Sequence, residues 1–506
     1  MSMRPKRDDM FARHRSIMPR RHSGCGDGIR TTFMAPARHS QDESKETHAG
    51  DRRFWDERLE TGSRAEWRDL QLRLLCQHLK HAETGSPYYR AIFASAGVAA
   101  DQVRTLEDLR RFPFINKQTI RERQAAAPPF GDLCAVPERD IVYISASSGS
   151  TGTPTASPFT ARDFADWMDY EARQFWSSGL RPQDRYCHSL NLSLFVGGPC
   201  VLGAQKIGAL CIHAGTLPSE RLLAILQQFQ ATAMWTTPSY AWYLGETAAK
   251  QGLDIRRDLA IQRIFVAGEP GGSIPETRNR IEELWGASVY DYYGLSDIFG
   301  ACAGMCEEKR GLHWAEDHIL VEILDPSSGD PVHEGERGEL VLTTLRKAAR
   351  PMVRFRTGDI VSFTAEPCAC GRTSMRMLGV HGRLDDMLII RGVNVFPSDV
   401  EAVARKEVDL SGEYRLIVER HDHLDALTVE VERSANFTGS DPELAKRFAH
   451  RLRAALGIQA VVRVLAPMSL PRATHKAKRI EDRRGDVWSG AATAGTSGPG
   501  SIMPQS

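Results

Sequence analysis

The chain has 506 residues, 42% hydrophobic and 25% charged, and its 65 basic and 64 acidic side chains leave a formal net charge of +1. That length permits two or more domains and a sizeable core, and the near-neutral balance gives no reason to expect nucleic acid or an anionic membrane as a partner. The most apolar stretch, around Leu192 to Leu202, is broken by Gly197, Gly198 and Pro199, so it does not read as a membrane span. Residues 1–48 carry ten Lys/Arg against six Asp/Glu without apolar periodicity and read as a disordered leader. The Gly/Ser/Ala-rich residues 487–506 read as a disordered tail.

Asp140 to Ile144 alternates and is β-branched, which predicts a short strand. It runs into Ser145 to Thr155, a stretch of glycines and hydroxyls. Strand followed by such a loop is a phosphate cradle: Gly149 and Gly152 let backbone N–H groups face inward, while Ser147, Ser148, Ser150 and Thr151 add hydroxyl donors. The lysine of the familiar nucleotide-binding P-loop is missing. Further on, Glu220 to Phe229 has helical spacing, Ala231 to Trp235 reads as a strand, Ser239 to Lys250 as a helix and Ile261 to Ala267 as another strand. This alternation predicts βαβ units and mostly parallel sheet. After about Gly311 the pattern becomes strand-rich, with Ile319 to Leu324 and Gly338 to Thr343. The last hundred residues have their own small alternation: strands at Tyr414 to Arg420, Leu427 to Glu432 and Ala460 to Leu465, and a helix at Pro442 to Leu456.

Ten cysteines without a signal-peptide pattern point to a reducing cytoplasm. Cys306, His313, Cys368 and Cys370 make a Cys3His set suited to tetrahedral zinc, closed and therefore structural; Cys302 and His318 are rival ligands.

Several motifs answer the Ser/Gly/Thr loop in order: Ser86-Pro87-Tyr88-Tyr89, Pro113 to Lys117, Thr237 to Tyr240, Gly268-Glu269-Pro270, Tyr292 to Asp297, Arg356 to Asp359, Gly382 to Met387 and Arg391 to Pro397. From Arg52 to Arg484 the chain resembles the phenylacetate–CoA ligase family of the adenylate-forming superfamily. The resemblance implies an α/β fold. A large N-terminal domain (49–382) with mixed or parallel sheets and helices would carry a small α+β C-terminal domain (383–486), which rotates about a hinge at Asp385.

The family's residues carry over one at a time. Asp359 resembles the carboxylate that grips the ribose, and Tyr293, flanked by Tyr292 and Gly294, the aromatic beside adenine. Gly268, Glu269 and Pro270 would form part of the nucleotide wall, and Arg383 would reach ribose or phosphate from the hinge. Asp297 stands where the family has glutamate; it is expected to help hold Mg2+, through water because its arm is shorter. Thr153 stands where the family has lysine. Lys476 matches the C-terminal lysine that bridges carboxylate and α-phosphate, with Lys478 and Arg479 beside it reading as solvated charge. The acid pocket is expected between Leu194 to Gly198, Thr237 to Tyr240 and Gly268 to Pro270, with Phe195, Gly197 and Tyr240 against the substrate.

The implied activity is ATP-dependent activation of an aromatic acid, phenylacetate or a related aryl acid, as acyl-AMP, followed by transfer to CoA. A stand-alone enzyme that loads a carrier protein and a catalytically weak nucleotide sensor are the alternatives. A monomer or homodimer is expected.

Overall fold

The computed structural model of the protein describes residues 52–146, 154–190, 197–215, 217–390, 393–421, 424–471 and 479–484. The leader, the tail, the 147–153 loop, Phe195, Lys476 and Lys478 lie outside these. Strands β1 (Ile141–Ala146) and β2 (Ala156–Thr160) form an antiparallel pair, so the Ser/Gly/Thr loop joins two strands of a hairpin. Five strands, β3 (Arg185–His188), β4 (Leu210–His213), β5 (Ala233–Thr236), β6 (Arg263–Ala267) and β7 (Ser288–Tyr293), run parallel in the order β4-β3-β5-β6-β7. Their central members are continuous apolar runs because both faces are covered. Trp235 and Phe265 enter one core, while Met234, Ile264 and Val266 enter the other.

The same sheet continues antiparallel through β8 (Ala303–Met305), β9 (Leu312–Trp314), β10 (Ile319–Leu324), β11 (Gly338–Thr344), β12 (Phe355–Thr364) and β13 (Arg376–Arg383). Among the described residues it is an 11-stranded mixed sheet. The change from parallel to antiparallel falls at β7–β8, slightly before the position predicted from sequence.

Three of the quoted motifs are helix starts. Asn116 caps helix Lys117–Ala126 by accepting from the Thr119 N–H at 2.9 Å. Ser86 and Thr237 cap helices Pro87–Ala96 and Pro238–Lys250, each with proline at the first position, where a missing N–H costs nothing.

Beyond β13 comes the pair β14 (Leu388–Ile390) and β15 (Val393–Val395), and then a smaller α/β domain. Its four-stranded sheet contains β16 (Leu410–His421), β17 (Leu424–Arg433), β18 (Ala460–Leu465) and β19 (Ile480–Asp482) in the order β18-β17-β16-β19. Helices Pro397–Arg405 and Asp441–Leu456 close its own core, in which Val400, Leu416, Val429, Phe448 and Leu452 are buried. β19 was not anticipated, and it corrects the reading of Arg479 as solvated charge. Pairing of Ile480 beside Leu416 places the guanidinium over the Tyr414 ring and 2.5 Å from Glu413. Gly382 lies where the two domains meet: any Cβ there would be driven into the Phe396 ring, at 2.2 Å from its nearest atom. No helix among the described residues is long and apolar enough to cross a membrane.

Candidate active site and candidate metal centre

The loop that follows β7 is laid across the base of the β1–β2 hairpin. Ser145 Oγ donates to the Ser296 carbonyl at 3.1 Å, and Ser157 Oγ to the Asp297 carbonyl at 3.4 Å. The strand ends that flank the Ser/Gly/Thr loop are therefore neighbours in space of the Tyr292–Asp297 motif. Gly294 is needed at the turn, because a Cβ there would sit 1.5 Å from the Gly300 carbonyl oxygen.

The Asp297 carboxylate is buried and ion-paired on both oxygens: Lys117 Nζ donates to Oδ2 at 2.5 Å and Arg350 Nη2 to Oδ1 at 3.2 Å. Burial opposes ionisation, but these two cations outweigh it and hold the carboxyl below the usual aspartate range. Lys347, fully buried, donates from Nζ to Ser157 Oγ (2.6 Å) and to the carbonyls of Asp297 (3.0 Å) and Ile298 (3.1 Å), and it lies 4.0 Å from the Phe159 ring centroid. Burial pushes its pKa well down. Sequence reading gave no role to Lys117, Lys347 or Arg350. Lys117 follows the cap Asn116, and the other two lie in a basic, apolar stretch whose burial no periodicity announces.

A second cluster joins β7, β12 and β13. Asp359 and Arg383 are paired in register on adjacent strands. Tyr293 Oη donates to Asp359 Oδ2 at 2.5 Å and Arg383 Nη1 to Oδ1 at 3.0 Å. Arg383 also reaches Asp385 through Nε at 2.9 Å. Burial and the adjacent Asp359 push the Tyr293 phenol well up, so it stays protonated and donates.

Tyr292 was grouped with the nucleotide-binding residues, and the structure corrects this. Strand alternation turns its side chain to the opposite face from Tyr293, where its ring lies 4.9 Å from Trp235 and its hydroxyl donates to the Gln174 carbonyl at 3.2 Å.

Two of the three expected acid-pocket segments meet. Glu269 Oε1 accepts from the Ser239 N–H at 2.7 Å, and burial raises its pKa. Open space lies beside Gly268, since no atom stands within 4 Å of where a Cβ would be. Pro270 follows in the same turn. Tyr240, half-buried, shares a hydrogen bond with Ser219 at 3.0 Å, and Gly197 leads into the buried turn Gly198–Cys200.

Away from these clusters, Cys306 after β8, His313 on β9, and Cys368 and Cys370 between β12 and β13 converge, with their ligand atoms all within 4.8 Å of one another. Cys306 and Cys368 sulfurs are 3.8 Å apart, and Cys370 Sγ is 3.4 Å from His313 Nε2. A tetrahedron built on Zn–S bonds near 2.3 Å has S–S edges of about 3.8 Å. His313 Nδ1 meets Ser374 Oγ at 3.0 Å, which leaves Nε2 facing the thiols. The rival candidates lie elsewhere: Cys302 Sγ is 3.6 Å from the Phe299 carbonyl and His318 is 3.4 Å from Asp317.

Comparison with known proteins follows the same lines. Residues 89–345 match the AMP-binding enzyme family and residues 392–484 the AMP-binding enzyme C-terminal domain. The phenylacetate-coenzyme A ligase of Aromatoleum evansii is 37% identical over 440 residues, covering 85% of this chain and 97% of that protein. That of Escherichia coli K12 is 37% identical over 436 residues, covering 85% and 98%. The crystal structure of 2-hydroxyisobutyryl-CoA ligase in the postadenylation state superposes with a TM-score of 0.81 at 33% identity, covering 89% of this chain and 94% of that one. In its thioesterification state the same ligase gives 0.65. With both domains matched and relatives this similar along their whole length, the chain belongs to the phenylacetate–CoA ligase family of AMP-binding enzymes.

Proposed function

We propose that the protein activates an aromatic carboxylic acid, phenylacetate or a related aryl acid, with ATP to give acyl-AMP and pyrophosphate, and then transfers the acyl group to the CoA thiol. The observation that carries this reading is the meeting of two charge clusters at the end of β7, where Tyr293 holds Asp359 and the following loop carries Asp297. Asp359, positioned by Tyr293 and Arg383, is the carboxylate that would accept from the ribose hydroxyls. Lys117 and Arg350 place two cations against one carboxylate beside the hairpin loop, where polyphosphate charge needs neutralising. Mg2+ takes one or two carboxylates plus waters and substrate phosphates and would neutralise outer-phosphate charge; Asp297 would join it only by giving up the Lys117 or Arg350 pair that now holds each of its oxygens. The loop residues Ser147, Ser148, Gly149, Ser150, Thr151 and Gly152 would supply N–H and hydroxyl donors to the phosphates, and Lys476 would bridge the acid and the α-phosphate.

CoA is favoured over a carrier protein as acceptor because the similar ligases named above are CoA ligases. The two steps need two orientations of the smaller domain. Contacts that would break between them are the Arg337–Asp399 and Lys406–Glu276 ion pairs and the donation from Arg280 Nη2 to the Glu407 carbonyl. The higher TM-score to the postadenylation state supports assigning these contacts to the first step. The deciding experiment is pyrophosphate release that depends on an aromatic acid, with thioester appearing only when CoA is added; release without acid dependence would refute the reading.

For the second site, we infer that Cys306, His313, Cys368 and Cys370 bind zinc as a closed structural centre. The soft donor set and the separation between sulfurs support it.

A further inference from the structure

Two unpaired polar atoms lie at the carboxyl ends of neighbouring parallel strands. β3 and β5 are adjacent, and His188 is in register with Trp235. Each residue is 1% exposed, yet His188 Nε2 and Trp235 Nε1 have no hydrogen-bond partner among the described residues. A buried donor or acceptor without a partner costs about 1–3 kcal/mol, so such atoms call for an explanation. Both side chains project from the same face, the one that carries Tyr186 and Phe265. The indole leans towards Tyr292, at 4.9 Å between centroids, and the imidazole lies 5.9 Å from the Tyr186 ring. Thr236 Oγ1 is also unpaired, but strand alternation turns it to the opposite face, with Met234 and Val266.

Their position bears on a ligand. Open α/β sheets bind ligands outside the carboxyl ends of their strands. β5 runs directly into Thr237–Tyr240, and β3 leads through Leu190 towards Gly197, which are the segments assigned to the acid.

We propose that His188 and Trp235 form a polar subsite of the acid pocket and that the preferred substrate is an aromatic acid bearing a hydroxyl group. This rests on the adenylation reading above. His188 Nδ1 is already paired with the Tyr186 hydroxyl at 2.8 Å, and burial keeps the ring neutral, with its pKa lowered to about 3. Nε2 is then a donor or an acceptor according to the tautomer, and the indole N–H can only donate. A hydroxyl can meet either atom: it accepts from the indole N–H, and it donates to or accepts from Nε2 according to the tautomer. An unsubstituted ring satisfies neither atom.

The test measures kcat/KM for pyrophosphate release with ATP and CoA, using matched pairs of phenylacetate or benzoate and their ring-hydroxylated derivatives. At least one hydroxylated acid should exceed its parent by about ten- to a hundredfold. His188→Phe and Trp235→Phe should each shrink that ratio towards one, while Thr236→Val leaves the ratio unchanged. If a variant folds poorly, the wild-type ratio still decides. Parent acids used as well as, or better than, every hydroxylated one would overturn the proposal and leave the adenylation reading intact. So would a preserved ratio in a folded His188→Phe that still binds ATP. Absence of pyrophosphate release with any acid would instead defeat the adenylation reading itself.

Discussion

The two clusters of ligand-type residues on the large sheet are built on opposite plans. Around Asp359 and Asp297 the charged groups pair with one another across elements distant in sequence, and the outer members stay accessible: the Arg383 and Asp385 side chains are 42% and 69% exposed. Around Cys306 and His313 three of the four donors are buried and Cys370 is partly so, and a single tetrahedral ion would use all four. A site that must exchange ligands uses pairs that a ligand can replace; a site that holds the chain together uses donors that satisfy one ion completely. Changes in the first should disturb turnover before stability, and changes in the second should do the reverse.

The largest expected effect belongs to Lys476. Lys476→Ala should slow acyl-AMP formation by roughly two to three orders of magnitude, because it removes a cation from the charge developing at the α-phosphate. Supplied with pre-formed acyl-adenylate, the same variant should still make thioester from CoA at near the normal rate. Equal damage to both half-reactions in a rapid-quench assay would move the role to Lys478.

Asp359→Ala should raise the ATP requirement by about ten- to a hundredfold, the worth of charge-assisted hydrogen bonds to the ribose. Unchanged ATP kinetics would remove Asp359 from the site.

At the other cluster, Cys368→Ser should lower the melting temperature more than it lowers turnover, and elemental analysis should find about one zinc per wild-type chain. Ser374→Ala, which frees His313 Nδ1, should weaken metal affinity by about tenfold. A metal-free protein of full stability would dissolve the contrast between the two regions.

The smallest effect concerns pH. Burial, aided by Arg337, lowers the His381 pKa to about 4, and its ring meets Ser362 Oγ at 2.8 Å. The folded state keeps this histidine neutral, whereas the unfolded chain protonates it near 6.5, so its contribution is present above about pH 6.5 and lost as pH falls towards 4. Thermal melts should show the gap between wild type and His381→Gln narrowing over that range; a widening gap would contradict the assignment.

Much of this architecture was legible in the chain. Ile319–Leu324 and Ala460–Leu465 form strands with the bounds their apolar patterns predicted, and the Cys3His set converges although 54 residues separate His313 from Cys368. Pattern failed where burial depends on a distant partner. Tyr292 and Tyr293 are identical as letters, and only the register of β7 sends one to the core and the other to Asp359. Lys347 and Arg350 look like surface charge until β2 and the Asp297 loop fold over them. Arg479 looked solvated because its strand is only three residues long and finds its neighbours some sixty residues upstream.

The four candidate metal ligands end at Cys370, and the smaller domain is encoded after them. During synthesis, which delivers the chain from its N-terminus, all four donors are in the nascent chain before the smaller domain is complete. Arg53 already reaches the Cys370 carbonyl at 3.0 Å, and Arg372 reaches Glu60 at 2.6 Å. The segment from Arg53 to Glu60 and the thiol loop can therefore be fastened as a single early unit. On the zinc assignment proposed above, supply of the ion at that moment, rather than after release, would set how much of the nascent chain escapes misfolding.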